Sequence, residues 1–395
     1  MASVGDESTG QRIQQYRKLR GFTQRGLALR ADVAYGTLTK IESGHALASP
    51  AVLAALARAL SVNITQLTGQ PFLEELRAAR VDQLIEPLRV VLDSWDLKPS
   101  EDLRPRPIAV IEPEAIRLCD EAMCQGRVAA VAAELPCLLD ELGALVSEDG
   151  DDLSWRTLES LYRCVRHVVL NWGFRDLADI ALDRATWAGV KGDDPLAEAI
   201  RQRARASNHL RAGAYASGRE LLAATLRETQ DVPGDTRSKV LAGHTHLGWA
   251  VNTARSGDDD AAEDHLDEAA HLAEETGEAP GVGWFGFGPT NVAVHRVAVL
   301  IEAGDYRRGV DAGQGLRLPV DWPATRAAHH HMDLGRAYAW LGQADNALAA
   351  LGRARRIAPQ QTRFHPTTRM TVEHLLAVKR RVPEPLASYA RWLGL

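Results

Sequence analysis

Six glycines constrain this chain more than any other feature. Gly126, Gly173, Gly213, Gly257, Gly304 and Gly342 follow one another at intervals of 47, 40, 44, 47 and 38 residues, each between stretches rich in Ala, Leu, Arg and Glu. Glycine accepts the left-handed backbone that stops a helix, so each is expected to end one helix and let its partner begin. A helix, a stop and a second helix, repeated at such intervals, imply stacked hairpins. One pair cannot cover its own apolar face, whereas neighbours in series bury a continuous core. No alternating apolar and polar run of strand length breaks the pattern, so the expected fold class is all-α.

The last unit is the most legible. Leu334, Gly335, Tyr338, Gly342, Ala347, Leu351, Ala354 and Pro359 stand at a spacing that resembles the tetratricopeptide repeat. Earlier units keep fragments of it, such as Ala178, Leu182 and Ala185, or Ala262, Leu266 and Ala269. Their lengths exceed the usual ~34 residues, which makes them degenerate repeats. The resemblance implies a right-handed superhelix with a concave face. Residues Pro366 to Leu395, with Leu375, Leu376, Val378, Leu386, Tyr389 and Trp392, are expected to close it as a cap.

Ahead of the repeats lies a different pattern. Ile13, Tyr16, Arg17 and Leu19 stand at helical spacing and end at Gly21, so a first helix stops before Phe22. Thr23 can cap a second helix with Leu27 and Ala28 on its inner face, and Ala31, Asp32 and Val33 form a turn. A third runs from about Ala34 to Ser43, burying Leu38 and Ile41 and stopping at Gly44; Ser49 and Pro50 begin a fourth, with Leu53, Leu56, Ala57 and Leu60.

Taken together, Phe22-Thr23-Gln24, Leu27-Ala28, Val33, Thr37-Leu38, Lys40-Ile41-Glu42 and Gly44 resemble the XRE (Cro/C1-type) helix-turn-helix family over roughly residues 10 to 70. The resemblance implies a five-helix DNA-binding domain whose third helix enters the major groove of double-stranded DNA. It assigns base or phosphate contacts to Tyr35, Gly36, Thr37, Thr39 and Lys40, and a backbone contact to Gln24 at the start of the second helix. Arg20 and Arg25 are further phosphate contacts, which hold register without reading sequence. Arg17 and Glu42 are expected to pair between the first and third helices. Two departures stand out: Ala34 replaces the usual Ser or Thr cap, and Gly36 weakens the recognition helix by up to about 1 kcal/mol relative to Ala.

Charge divides the chain in the same place. Residues 1–70 carry eight Lys or Arg against four Asp or Glu, whereas the remainder carries 38 against 48. Phosphate attraction therefore belongs to the head, and the acidic remainder must do something else. Expected divisions are a tail at 1–8, the helix-turn-helix domain at 9–70, a connector helix and Pro-rich linker at 71–113, and the repeat domain at 114–395. Within the connector, Phe72 to Trp95 has helical spacing with Pro87 as a restart or a kink, and Pro99, Pro105, Pro107 and Pro113 exclude a continuous helix after it. Cys119, Cys124, Cys137 and Cys164 lack paired spacing and read as buried free thiols. No run approaches a membrane span and none resembles a signal peptide, so the protein is expected to be cytoplasmic, with no membrane partner.

Counting back from each glycine along the resemblance to the tetratricopeptide repeat puts certain first-helix residues on the inner wall. These are Arg163, His167 and Asn171, then Arg203, Ser207 and Arg211. Asn291 and His295 follow, and His329, Met332, Arg336 and Trp340 come from the last unit. Arg and Asn offer fixed donors that match carboxylates and amides, so this wall is a candidate effector site, against the simpler reading of a wet polar surface. The run Gly281 to Asn291 combines glycines with Trp284, Phe285 and Phe287, and reads either as a lid or as a packed connector. It lacks the Lys and Ser or Thr of a phosphate loop. Its Phe-Gly-Pro-Thr-Asn stretch is similar to one in actinobacterial XRE proteins with helical-repeat tails. His329 to His331, and His244 with His246, are too close in sequence to share a helical face as metal ligands. No motif frames a catalytic nucleophile, so neither an enzyme, a metal site nor a cofactor is expected.

The architecture resembles peptide-responsive quorum-sensing regulators. It implies a homodimeric transcription regulator whose repeat domain senses a peptide or a small molecule. The alternative is a scaffold in which the repeats dock a partner protein and the head tethers it to DNA.

Overall fold

The computed structural model describes residues 7–98, 100, 102–279, 281–379 and 381–395. Part of the expected tail, residues 1–6, lies outside the described residues; Ser8 does not belong to a tail, because its side chain caps the first helix in a capping box with Gln11. The head comprises α1 (Thr9–Leu19), α2 (Gln24–Ala31), α3 (Tyr35–Glu42), α4 (Pro50–Leu60) and α5 (Ile64–Thr68). Thr23 Oγ1 accepts from the Gly26 amide at 3.0 Å and Ser49 caps α4 with Pro50 behind it. Asp32 takes the left-handed turn between α2 and α3. α3 starts at Ala34 without any side-chain cap. Ile13, Leu27, Leu38, Leu53, Leu56 and Leu67 form the head's own core.

The connector is two helices in place of one. It is broken into α6 (Leu73–Ala78) and α7 (Ile85–Asp93), with Arg80 at φ 56° between them and Pro87 harmlessly within the first turn of α7. Helix α8 (Ile108–Met123) begins at Pro107 and carries Pro113 inside it, so the proline expected to bar a helix sits two turns from the start of one.

Six hairpins follow: α8 with α9 (Val128–Asp149), α10 (Asp152–Asn171) with α11 (Arg175–Lys191), and α12 (Ala197–Ala212) with α13 (Tyr215–Gln230). Then come α14 (Thr236–Ser256) with α15 (Asp259–Thr276), α16 (Pro289–Glu302) with α17 (Tyr306–Gly315), and α18 (Ala324–Trp340) with α19 (Ala344–Ile357). All six glycines that set the repeat lie at these turns with φ between 70° and 90°. Small residues let the paired helices close: a Cβ on Gly335 would lie 2.9 Å from the Leu351 side chain. The chain ends in α20 (Pro359–Phe364), α21 (Pro366–Val378) and α22 (Glu384–Leu393), which pack Val372, Leu375, Leu386 and Tyr389 into the core of the last hairpins. The fold is all-α, a helix-turn-helix head on an α-solenoid.

Two features position the functional surfaces. First, the solenoid closes on itself. The Thr325 amide donates to Cys124 O at 3.1 Å, its hydroxyl donates to Met123 O at 2.6 Å, and the Ala129 amide donates to Gln360 Oε1 at 2.8 Å. The last hairpin and α20 thus join the first, and the inward faces of α10, α12, α14, α16 and α18 surround one central chamber, within which burial and, from across it, the Arg326 charge lower the imidazole pKa values of His167, His244 and His295. Second, the head is docked on this ring. Arg58 donates to Gly213 O at 2.7 Å, the Thr9 amide donates to Glu373 at 3.3 Å, and Leu47 packs in the solenoid's core cluster instead of the head's. Cys119 and Cys164 are buried, but Cys124 is only partly so and Cys137 is exposed, contrary to the expectation for that thiol. No helix among the described residues is long and apolar enough to cross a membrane.

Candidate functional site

The recognition helix is held by one buried network. Arg17 Nε and Nη2 donate to Glu42 at 2.6 and 2.9 Å, Arg17 Nη1 donates to Phe22 O at 2.9 Å, and Gln24 Nε2 donates to Glu42 Oε2 at 2.8 Å. Burial opposes the Glu42 charge, but the hydrogen bonds from Arg17 and Gln24 and the Arg17 charge prevail and hold its carboxyl below the usual range. Gln24, assigned to the DNA backbone by resemblance, is thus the third member of this network.

Leu38 and Ile41 face inward, which divides the rest of α3 into two faces. Tyr35, Gly36 and Thr39 lie on the open side, and the Arg25 guanidinium stands 5.4 Å from the centre of the Tyr35 ring. Thr37 and Lys40 lie on the other face and line a crevice of about 570 Å³ with His45, Trp340, Val378 and Lys379. Arg20 binds Leu60 O at 3.0 Å, so it ties the end of α1 to the end of α4.

The helix-turn-helix family matches residues 13–67. The HTH-type transcriptional regulator YazB of Bacillus subtilis (strain 168), itself described as uncharacterised, is 36% identical over 61 residues, which cover 15% of this chain and 88% of that protein. The chain belongs to the XRE-type helix-turn-helix transcriptional regulators. It is a DNA-binding regulator and not an enzyme. Looser likenesses concern more of the chain. BtubC (BKLC) from P. vanneervenii is 16% identical over 57% of this chain and 89% of that one, with a TM-score of 0.37. Bacillus thuringiensis PlcR, in complex with the peptide PapR7 and DNA, is 13% identical over 89% of this chain and 94% of that one, with a TM-score of 0.28. At those scores neither carries an argument about this regulator.

Inside the ring, the regulator gathers cations. Arg203 donates to His244 O at 3.2 and 3.3 Å and to Ser207 Oγ at 2.7 Å; Arg163 donates to Gly283 O and lies 5.0 Å from the Phe285 ring centre. Arg211 and His329 are the wall residues most exposed to solvent. Asn171 bonds His167 at 3.1 Å. Burial, followed by the Arg326 charge, brings His295 down to about 3 and His167 to about 4.

Four of the expected wall residues do something else. Arg336 is buried and pairs with Glu302 at 2.7 Å, Trp340 stacks on Tyr306, Met332 is fully buried against Thr368, and Asn291 is fully buried beneath the wall. Conversely, Arg166, Arg326, His244 and His365 join the wall unannounced. Their signal was present: Arg166 and Arg326 stand three residues from Arg163 and His329, one helical turn along the same face. The Gly281 to Asn291 run is a packed connector over α14, since Phe287 is fully buried where Gly243 leaves room for its ring. Among the described residues no group of His, Cys, Asp and Glu could hold a metal.

The depressed imidazoles set a pH dependence. Each remains neutral in the folded chain below pH 6.5 but protonates once unfolded, so unfolding takes up protons. Stability present above about pH 6.5 is therefore lost as pH falls toward 4. In ligand-free protein the thermal midpoint is expected to drop steadily from pH 7 to pH 5, as scanning calorimetry would show. A flat midpoint would mean that water reaches these rings freely.

Proposed function

We propose that this regulator binds operator DNA through Tyr35, Gly36, Thr37, Thr39 and Lys40, with Arg20 and Arg25 on flanking phosphates, and that its repeat domain senses an effector and dimerises. The repeats, of tetratricopeptide type, occupy residues 114–395 in this reading, and the helix-turn-helix domain 9–70. A dimer would set two recognition helices about one DNA turn apart, ~34 Å, and so read an inverted repeat.

The observation that carries the reading is the crevice beside α3. Thr37 and Lys40 share it with Trp340, Val378 and Lys379, so the DNA-facing helix and the repeat domain meet at one surface. A DNA duplex cannot enter a space of that size, so full use of this face requires the head to shift from α21. Effector binding regulates by favouring one of these two arrangements.

Genome-wide recovery of bound DNA, with and without the double change Thr37→Ala and Lys40→Ala, tests this. Sharp peaks carrying a two-fold symmetric motif are expected for the native chain, with loss of most of them in the variant. Peaks that persist unchanged would remove these two residues from the interface.

A further inference from the structure

The inner wall of the ring holds more positive charge than the fold neutralises. Arg166 comes from α10, Arg203 and Arg211 from α12 and Arg326 from α18, and among the described residues none of the four forms a salt bridge. Nearby acids are engaged elsewhere: Glu302 is held by Arg255 and Arg336, Glu159 lies 3.6 Å from Arg163, and Asp179 accepts from Asn208. Burial and the charges of Arg326 and Arg166 lower Arg203 to about 9.

The hydrogen bonds of the four are unequal. Arg326 donates to Phe285 O at 2.9 Å, but Arg166 reaches Ala204 O and Asn208 only at 3.4 Å and Arg211 reaches Ser207 O at 3.5 Å. Arg166 Nε and His244 Nδ1 are buried and have no partner among the described residues. A buried cation without counter-charge, as at Arg203, and buried donors without acceptors, as at Arg166 Nε and His244 Nδ1, are costly, and such cost persists in functional sites. A structural role would have drawn a carboxylate to them, as Glu302 is drawn to Arg336.

We propose that this chamber binds a compact small molecule carrying at least two anionic groups, phosphate or carboxylate, gripped by Arg166, Arg203, Arg211 and Arg326. Guanidinium forks match both groups in a bidentate way. The ligand is compact because the ring is closed: Thr325 is bonded to Met123 and Cys124, and Gln360 to Ala129, so the wall is not an open groove along which an extended chain could run. Solvent-exposed Arg211 and His329 mark the route in. The inference rests on the proposal that the repeat domain senses an effector, and narrows its chemistry.

Calorimetric titration of the full chain with inorganic pyrophosphate and, separately, with citrate tests the site and distinguishes the two anion types. Saturable binding of either at 0.15 M salt is expected, weakened at least tenfold by Arg166→Gln with Arg211→Gln and partly kept by the corresponding lysine pair. The glutamine pair is expected to have a thermal midpoint equal to or above that of the native chain without ligand, because like-charge repulsion is removed. Absence of saturable binding by both probes, or binding that the glutamine pair retains, would overturn the proposal. DNA affinity measured with bound pyrophosphate or citrate is a separate readout: an unchanged affinity sinks the sensing reading while the anion site stands.

Discussion

Changing Arg17 to Met is expected to lower the head's unfolding free energy by about 3–5 kcal/mol and to abolish operator binding. The Glu42 side chain is 1% exposed and receives two of its hydrogen bonds from Arg17, so the substitution leaves a buried carboxylate with neutral amide donors and no counter-charge. That loss is a large fraction of the roughly 5–15 kcal/mol that holds a domain folded. It falls on the least secure helix of the head, because α3 has no side-chain cap at Ala34 and carries Gly36 within its first turn. Denaturant titration followed by DNA titration would read both effects. Changing Glu42 to Leu in the same chain should restore most of the stability, since replacing both charges with apolar groups is often neutral or better. An unchanged unfolding midpoint in the single variant would show that the pair is dispensable and that Leu38 and Ile41 alone seat α3.

Local backbone chemistry carried most of what could be read in advance. The six repeat glycines, the Thr23 and Ser49 caps and the uncapped start at Ala34 each follow from a residue's own preferences and from near neighbours, whereas the Arg17–Glu42 pair, 25 residues apart, is implied by the family resemblance. What remained hidden was set by partners far along the chain. Nothing near Thr325 announces that it bonds Met123, 202 residues earlier, and without that contact the chamber reads as an open groove. Arg80 at positive φ breaks the connector although its residue type gives no warning, and α8 accepts Pro113 although proline usually ends a helix. On the wall, counting by four from the glycines found Arg163, His167 and Asn171 but stepped over Arg166, which shares their face at a spacing of three. The sequence-derived set also included Arg336, whose partner Glu302 lies on another helix and neutralises it.

Leu47 offers the largest handle on regulation. Beside the Arg58–Gly213 and Thr9–Glu373 hydrogen bonds, head docking rests on Leu47, 6% exposed in the solenoid's core cluster, on Met370, which packs against both cores, and on the Gly44 carbonyl, 3.3 Å from His374 Nδ1. Changing Leu47 to Ala removes about 2–4 kcal/mol from that interface. If the head's own core is intact, the cost shifts the equilibrium between docked and released heads by roughly 30- to 1,000-fold. Amide exchange should then quicken by that factor at residues 44–48 and 370–378 and at the Gly213 turn that Arg58 touches, while α10, α11 and α15 exchange as before. DNA affinity should rise, because opening the crevice frees Thr37 and Lys40 from the surface they share with Trp340 and Val378. Faster exchange throughout α1 to α5 would instead make Leu47 a support of the head fold. Faster exchange confined to the interface without a gain in affinity would mean that the docked head already presents its whole DNA face, and control would have to come from the spacing of two heads.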